Sequence, residues 1–91
     1  MADIRQVLVS EDQDEHIWIR HHVTREEVYE VCFSEHLVTR GRGESSIVYG
    51  QTEGGRYLLV FLYRRDRGVY RLATARDMTD TERRFYRTRR R

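Results

Sequence analysis

The sequence contains no lysine, no proline and no asparagine, and it has a single cysteine, Cys32. One cysteine excludes an internal disulfide, and the lack of any run of about 18 apolar residues predicts no membrane span. The first residues lack the basic-then-apolar pattern of a secretory signal, so we expect a cytoplasmic protein. With 91 residues, of which 38% are apolar, the chain is predicted to form one domain with one modest core.

Because lysine is missing, all 17 basic residues are arginines, and they are unevenly distributed. Residues 1–38 carry nine acids and three arginines, a net charge of −6, whereas residues 39–91 carry fourteen arginines and six acids, a net charge of +8. A basic half favours a polyanionic partner, and the planar guanidinium fork suits phosphate groups. The same pattern is compatible with a solvated surface of mixed charge, or with a GC-rich genome that favours arginine codons.

Hydrophobic periodicity predicts the element order β-α-α-β-β-β-β-α. The predicted strands are Ile4–Val9, Leu37–Arg40, Ile47–Thr52, Tyr57–Tyr63 and Val69–Ala75. The strand at Tyr57–Tyr63 is apolar on both faces, so we expect it at the centre of the sheet with a layer on each side. This order predicts an α+β fold in which helices pack on an antiparallel sheet.

Three capping signals predict where the helices begin. Ser10 precedes a cluster of acids, and Thr24 and Thr79 are each followed three residues later by a glutamate, the spacing of a capping box. The segment 14–21 fits either a helix or a strand, and we predict a helix. The last arginines, residues 87–91, are predicted to form a basic tail that is too short and too charged to pack.

The residues that can act as acid, base or charge stabiliser suggest a reaction without a metal. The histidines have no zinc-site spacing, so no metal and no cofactor are expected. RNA can be cut through its own 2′-hydroxyl when a protein supplies a base, a cation and an acid. Arg76, at the end of the last predicted strand, and Glu82, Arg83 and Tyr86, on the helix after it, are of these types. Purely structural roles are the alternative: a cap for Glu82, packing for Tyr86 and solvation for Arg83.

Two motifs resemble the BrnT family of ribonuclease toxins. The pattern that begins Ala75-Arg76 and continues after five residues as Glu82-Arg83-x-x-Tyr86 resembles that family's C-terminal signature. The segment 20–28, Arg-His-His-Val-Thr-Arg-Glu-Glu-Val, is similar to the turn between the family's two helices. In this segment an arginine stands in place of the family's lysine and the second histidine in place of its glycine. The resemblance covers most of the chain.

The resemblance implies a RelE-like fold, metal-independent RNA cleavage and a complex with a BrnA-type antitoxin. It leaves the assembly open between a homodimer and a toxin–antitoxin hetero-oligomer. The residues to which it assigns catalytic roles are His21, Arg76, Glu82, Arg83 and Tyr86.

Three functional hypotheses follow. The first is an endoribonuclease toxin of a type II toxin–antitoxin system, with RNA as its substrate and no membrane partner. The second is a non-catalytic nucleic-acid-binding domain, and the third is a module that binds only protein. For a nucleic-acid ligand, the arginines expected to contact phosphates are Arg40, Arg42, Arg56, Arg64, Arg65 and Arg71.

Overall fold

Eight elements appear in the computed structural model, which describes residues 3–90. In chain order they are β1 (Gln6–Leu8), α1 (Glu11–His21), α2 (Arg25–Cys32), β2 (His36–Arg40), β3 (Ser45–Gln51), β4 (Tyr57–Asp66), β5 (Val69–Asp77) and α3 (Asp80–Arg89). The predicted α+β class and the order β-α-α-β-β-β-β-α are confirmed, and segment 14–21 is helical. Within residues 3–90, no helix has the length and apolar character required to cross a bilayer.

The five strands form one sheet in the order β1-β5-β4-β3-β2, which is mixed rather than wholly antiparallel. Strands β2 to β5 pair antiparallel with their sequence neighbours, whereas β1 pairs parallel with β5, from Gln6 opposite Val69 to Leu8 opposite Arg71. Local hydrophobic patterns predict the antiparallel hairpins well. They carry no signal for the β1–β5 pair, because its two strands come from opposite ends of the chain.

Strand β4 lies at the centre of the sheet and is covered on both faces, as predicted. Leu58, Val60 and Leu62 are fully buried in the larger core cluster, beneath α1 and α2. Leu59 and Phe61 point to the opposite face and belong to a smaller cluster with Tyr86 of α3. We call these two sides the α1/α2 face and the α3 face.

The helix starts follow the capping signals of the sequence. Ser10 caps α1, and Thr24 and Thr79 open complete capping boxes at α2 and α3. Helix α1 is capped by His22, whose φ of 54° lies in the left-handed region and whose N–H donates to the carbonyl oxygens of residues 17 and 18. Left-handed helix caps are usually glycine, so His22 occupies a position that favours glycine.

Most of the predicted basic tail is helical, because α3 continues to Arg89 and is capped by Arg90, and residues 87–90 are all exposed. The guanidinium of Arg89 lies 4.7 Å from the centre of the Phe85 ring, and that of Arg90 lies 5.5 Å from the Tyr86 ring. These contacts hold the arginine side chains against aromatic rings of the same helix, which supports another turn of helix. Arg91 lies outside the described residues.

Candidate active site

A doubly hydrogen-bonded ion pair joins the end of β5 to the first turn of α3. Arg76 Nη1 donates to Glu82 Oε1 at 2.9 Å, and Nη2 donates to Oε2 at 3.0 Å. The same Glu82 Oε1 accepts the backbone N–H of Thr79 at 2.8 Å, as part of the capping box. Hydrogen bonds from Arg76 lower the pKa of Glu82, so this carboxylate is ionised at neutral pH and is a weak base.

Arg76 keeps hydrogen-bonding capacity beyond this pair. Three of its five donors are used in the described structure, two by Glu82 and one by the carbonyl oxygen of Asp77 at 3.0 Å. Its guanidinium also lies 5.6 Å from the centre of the Phe61 ring, and the hydrogen bonds with Glu82 raise its pKa. Arg76 is therefore a fixed, permanently charged group with two donors left for a ligand.

His21, at the last position of α1, lies within the electrostatic range of this site. Partial burial lowers the pKa of its imidazole, and the positive charges of His16, Arg20 and Arg76 lower it further, in that order. A histidine with a pKa below its ordinary value of ~6.5 is mostly neutral at pH 7 and can accept a proton. The charge of Arg76 therefore contributes to the lowered pKa of His21, after the larger effects of burial, His16 and Arg20.

Arg56 fixes the position of His21 through five hydrogen bonds that use every donor of its guanidinium. Nε and Nη2 donate to the two carboxylate oxygens of Asp77 at 2.7 and 3.1 Å. Nη2 also donates to the carbonyl oxygen of His21 at 2.9 Å, and Nη1 to that of His22 at 2.6 Å and to Glu27 Oε1 at 3.2 Å. Arg56 therefore holds the α1–α2 turn against the end of β5.

Two of the expected catalytic residues occupy structural positions. Tyr86 is 2% exposed and packs edge-on against Tyr57, with ring centres 6.2 Å apart. Burial raises the pKa of the Tyr86 hydroxyl, which makes it a poorer acid, and a substrate cannot reach it in this conformation. The guanidinium of Arg83 lies 4.8 Å from the Tyr57 ring centre, and its Nε is buried without an acceptor among residues 3–90.

The six arginines expected to bind nucleic acid do not form one surface. Arg71 pairs with Tyr63 across β4 and β5 and lies on the α3 face with Arg76. The register puts Arg40 and Arg64 on the α1/α2 face, where a cleft of about 660 Å³ includes both side chains. The exposed Arg42 lies in the β2–β3 turn, and the exposed Arg65 lies at a register shift near the end of β4.

Arg56 differs from the other five arginines, because all of its donors are used within the protein. It therefore has no donor left with which to bind a phosphate.

Several residues of the site are not marked by any motif in the sequence. Asp77 holds Arg56, Phe61 lies against the guanidinium of Arg76, and Tyr49 shares a cross-strand row with Leu59 and Arg76. The alternation of β3 and β4 was the available signal, because it puts Tyr49 and Phe61 on the same face as Arg76 once the strands are paired. No local pattern indicated the role of Asp77.

The described part of the chain also groups no set of three His, Cys, Asp or Glu side chains in a metal-binding arrangement. A shallow cleft of about 300 Å³ lies beside the site and includes Arg56, Asp77 and Arg83 among its lining residues. The single Cys32 is buried, and burial raises the pKa of its thiol to about 12, so it remains a protonated core residue.

Comparison with known proteins finds the similarity in the fold rather than in the sequence. No family model and no curated protein matches the chain. Among solved structures, the chain is similar to the crystal structure of the Brucella abortus ribonuclease toxin BrnT, with a TM-score of 0.69 and 9% sequence identity. The similarity covers 82% of this chain and 97% of that one. The resemblance to BrnT is therefore confirmed for the fold.

Proposed function

We propose that the chain is a metal-independent endoribonuclease that cleaves RNA through the substrate's own 2′-hydroxyl group. The observation that carries this proposal is that the Arg56–Asp77 clamp holds the end of α1, which carries His21, against the end of β5, which carries Arg76. A neutral base and a fixed guanidinium are the pair of groups that this reaction needs, and the clamp brings together the two chain segments that carry them. The likeness in fold to a ribonuclease toxin supports the same reaction.

In the proposed reaction, His21 accepts the proton of the 2′-hydroxyl, and the resulting oxygen attacks the adjacent phosphorus. Arg76 uses its two unoccupied donors to stabilise the negative charge of the phosphorane. The bond to the 5′ oxygen then breaks, and this oxygen receives a proton from the imidazolium, directly or through water. The products are a 2′,3′-cyclic phosphate and a free 5′-hydroxyl. Glu82, whose pKa is lowered, orients Arg76 rather than transferring a proton.

The first test is cleavage of a single-stranded RNA oligomer by the purified protein in EDTA, with analysis of the product ends. We expect cleavage to persist and to leave 2′,3′-cyclic phosphate. The rate should decline as pH falls below the ordinary histidine range of ~6.5, because an imidazolium cannot accept the 2′-hydroxyl proton. Activity that disappears in EDTA and returns with magnesium would contradict the proposed chemistry.

Replacement of Arg76 tests its role directly. Arg76→Ala should reduce the cleavage rate by about a hundredfold or more, the typical effect of removing one transition-state donor. Arg76→Lys should rescue poorly, because an ammonium group lacks the planar fork. Arg67→Ala, at an exposed position of the β4–β5 turn, is the matched control and should keep wild-type activity. An Arg76→Ala protein that is folded and fully active would assign Arg76 a structural role.

We further propose that an antitoxin protein of the BrnA type inhibits the chain in the cytoplasm by covering the α3 face. The support is that Arg71 is exposed on this face and that Arg76 keeps two donors free, so an acidic segment would compete with RNA for them. The test is competition between labelled RNA and the product of a neighbouring gene. Simultaneous binding of both ligands would contradict it.

A further inference from the structure

The α3 face carries an aromatic and basic row that α3 does not cover. Across the three central strands, Ser45 pairs with Tyr63 and Tyr63 with Arg71, so these side chains point to the same side of the sheet. Tyr63 is 43% exposed, whereas Tyr49 and Tyr57, further along the same face, pack against aromatic rings of α3. A large aromatic side chain is thus left uncovered beside an arginine.

This uncovered row is on the same face of the sheet as Arg76. Tyr63 is four residues from Leu59 on β4, and Leu59 pairs with Arg76. At about 3.3 Å per residue, the row lies ~13 Å from the row of Arg76, a length that a few nucleotides of an extended strand can span. Between them, the Phe61 ring lies under the guanidinium of Arg76. An aromatic and cationic path therefore runs along the face from Tyr63 to Arg76.

The chemistry of this path favours one kind of ligand. The two rows, which comprise Ser45, Tyr63, Arg71, Ile47, Phe61 and Thr74, contain no acidic residue, so their charge is positive. Proteins that bind single-stranded nucleic acid use exposed aromatic rings beside arginines, because an unpaired base stacks on the ring while the guanidinium contacts its phosphate. The bases of a duplex are stacked on each other and cannot lie flat on a protein ring.

We propose that Tyr63 and Arg71 form a binding subsite for single-stranded RNA, a few nucleotides from the bond that is cleaved at Arg76. Tyr63 stacks on one base, and Arg71 contacts a neighbouring phosphate. This inference rests on the proposed ribonuclease function for the position of the cut bond. The subsite makes the chain select unpaired RNA segments that extend across the sheet.

Binding and cleavage are measured separately, so that this inference and the proposed function can fail independently. For binding, the ligand is a fluorescent single-stranded oligomer with 2′-O-methyl groups, which cannot be cleaved by this chemistry. We expect Tyr63→Ala to weaken its affinity about tenfold, the typical effect of one lost base–aromatic stack. Tyr63→Phe should keep the affinity, because it keeps the ring. A duplex of the same sequence should bind more weakly and should not distinguish the variants.

Phe33→Ala is the matched control, since Phe33 is 51% exposed at the end of α2, away from the α3 face. It should bind the oligomer as the wild type does, and thermal unfolding should show that all three variants are folded. In cleavage assays, Tyr63→Ala should raise KM for long oligomers with little change in kcat. It should leave unchanged the cleavage of fragments too short to reach from Arg76 to Tyr63.

Equal affinity of wild type and Tyr63→Ala for the single strand would overturn the inference, even if cleavage persists. If Tyr63→Ala instead weakens the binding of a protein partner, the row belongs to the surface that binds that partner. A tenfold loss of binding by Tyr63→Ala, in a protein that cleaves no RNA, would support the subsite and overturn only the proposed catalysis.

Discussion

At the scale of single residues, Arg56 shows that an arginine can have a role different from that of the other arginines because its partners differ. Its five donors are shared among Asp77, Glu27 and the carbonyl oxygens of His21 and His22. In the sequence it is one arginine among seventeen. Its role depends on contacts with residues 21 to 35 positions away, which no local motif encodes.

Replacement of Arg56 should therefore reduce stability more than replacement of other arginines. We expect Arg56→Ala to lower the free energy of unfolding by about 2–4 kcal/mol, because partly buried acceptors lose a charged donor. Arg42→Ala, at an exposed turn position, should change it by no more than ~0.5 kcal/mol. Urea denaturation of both variants measures the difference, and equal effects would mean that the clamp adds nothing to stability.

His22 offers a second test at this scale, because its left-handed conformation is one that glycine adopts without strain. His22→Gly should be more stable than His22→Ala by about 1 kcal/mol, the reverse of the usual order of these residues in helices. Both variants lose the edge-on contact between the His22 and Trp18 rings, so this loss cancels in the comparison. A more stable alanine variant would indicate that the turn changes conformation.

At the scale of elements, the predictions succeeded where the signal was local. The capping boxes at Thr24 and Thr79, the hairpins and the alternation of β4 are patterns of a few residues, and the structure confirms them. The helix in the predicted basic tail has no such local signal, because it depends on arginine side chains that stack on the rings of Phe85 and Tyr86. Of the candidate site, the proximity of Arg76 and Glu82 followed from sequence spacing, whereas the burial of Tyr86 depends on packing between α3 and the sheet.

The stability of helix α3 also depends on the ionisation of Glu82, because this carboxylate accepts hydrogen bonds both within the capping box and from Arg76. The pKa of Glu82 is lowered in the folded chain, mainly by the hydrogen bond with Arg76. The unfolded chain therefore takes up the proton first, so the stabilisation is present above the ordinary carboxyl range of ~4 and is lost as pH falls below it. When the pH is lowered from about 6 to about 3, the free energy of unfolding should decrease less for Glu82→Gln than for the wild type. Chemical denaturation at each pH measures this, and parallel curves would contradict it.

At the scale of the whole molecule, the arginines are divided between the two faces of the sheet. Arg71 and Arg76 lie on the α3 face, and Arg40 and Arg64 lie on the other. The high net charge of residues 39–91 thus does not describe one binding surface. The sequence determines the amount of charge directly, but the division of that charge depends on register and on the strand order.

This division predicts how salt affects RNA binding. Each phosphate contact with a single strand contributes a slope of about −0.7 to the dependence of log affinity on log salt. Arg71→Ala should therefore make the slope less steep by ~0.7, whereas Arg40→Ala, on the opposite face, should leave it unchanged. Titrations of RNA at several salt concentrations measure the slopes, and equal effects of the two variants would mean that RNA contacts both faces.

The parallel pairing of β1 with β5 has a consequence for the order of folding. Strands β2 to β5 are joined by short turns, so they can associate early. The β1 strand must find a partner more than sixty residues away, which requires the closure of a long loop, and it contributes only three residues to the sheet. We infer that β1 docks late, and that its amide hydrogens exchange with solvent faster than those of β4. We expect the first turn of α1, which only two residues separate from β1, to become ordered late as well, whereas Arg56 holds the other end of α1, at His21, independently of β1.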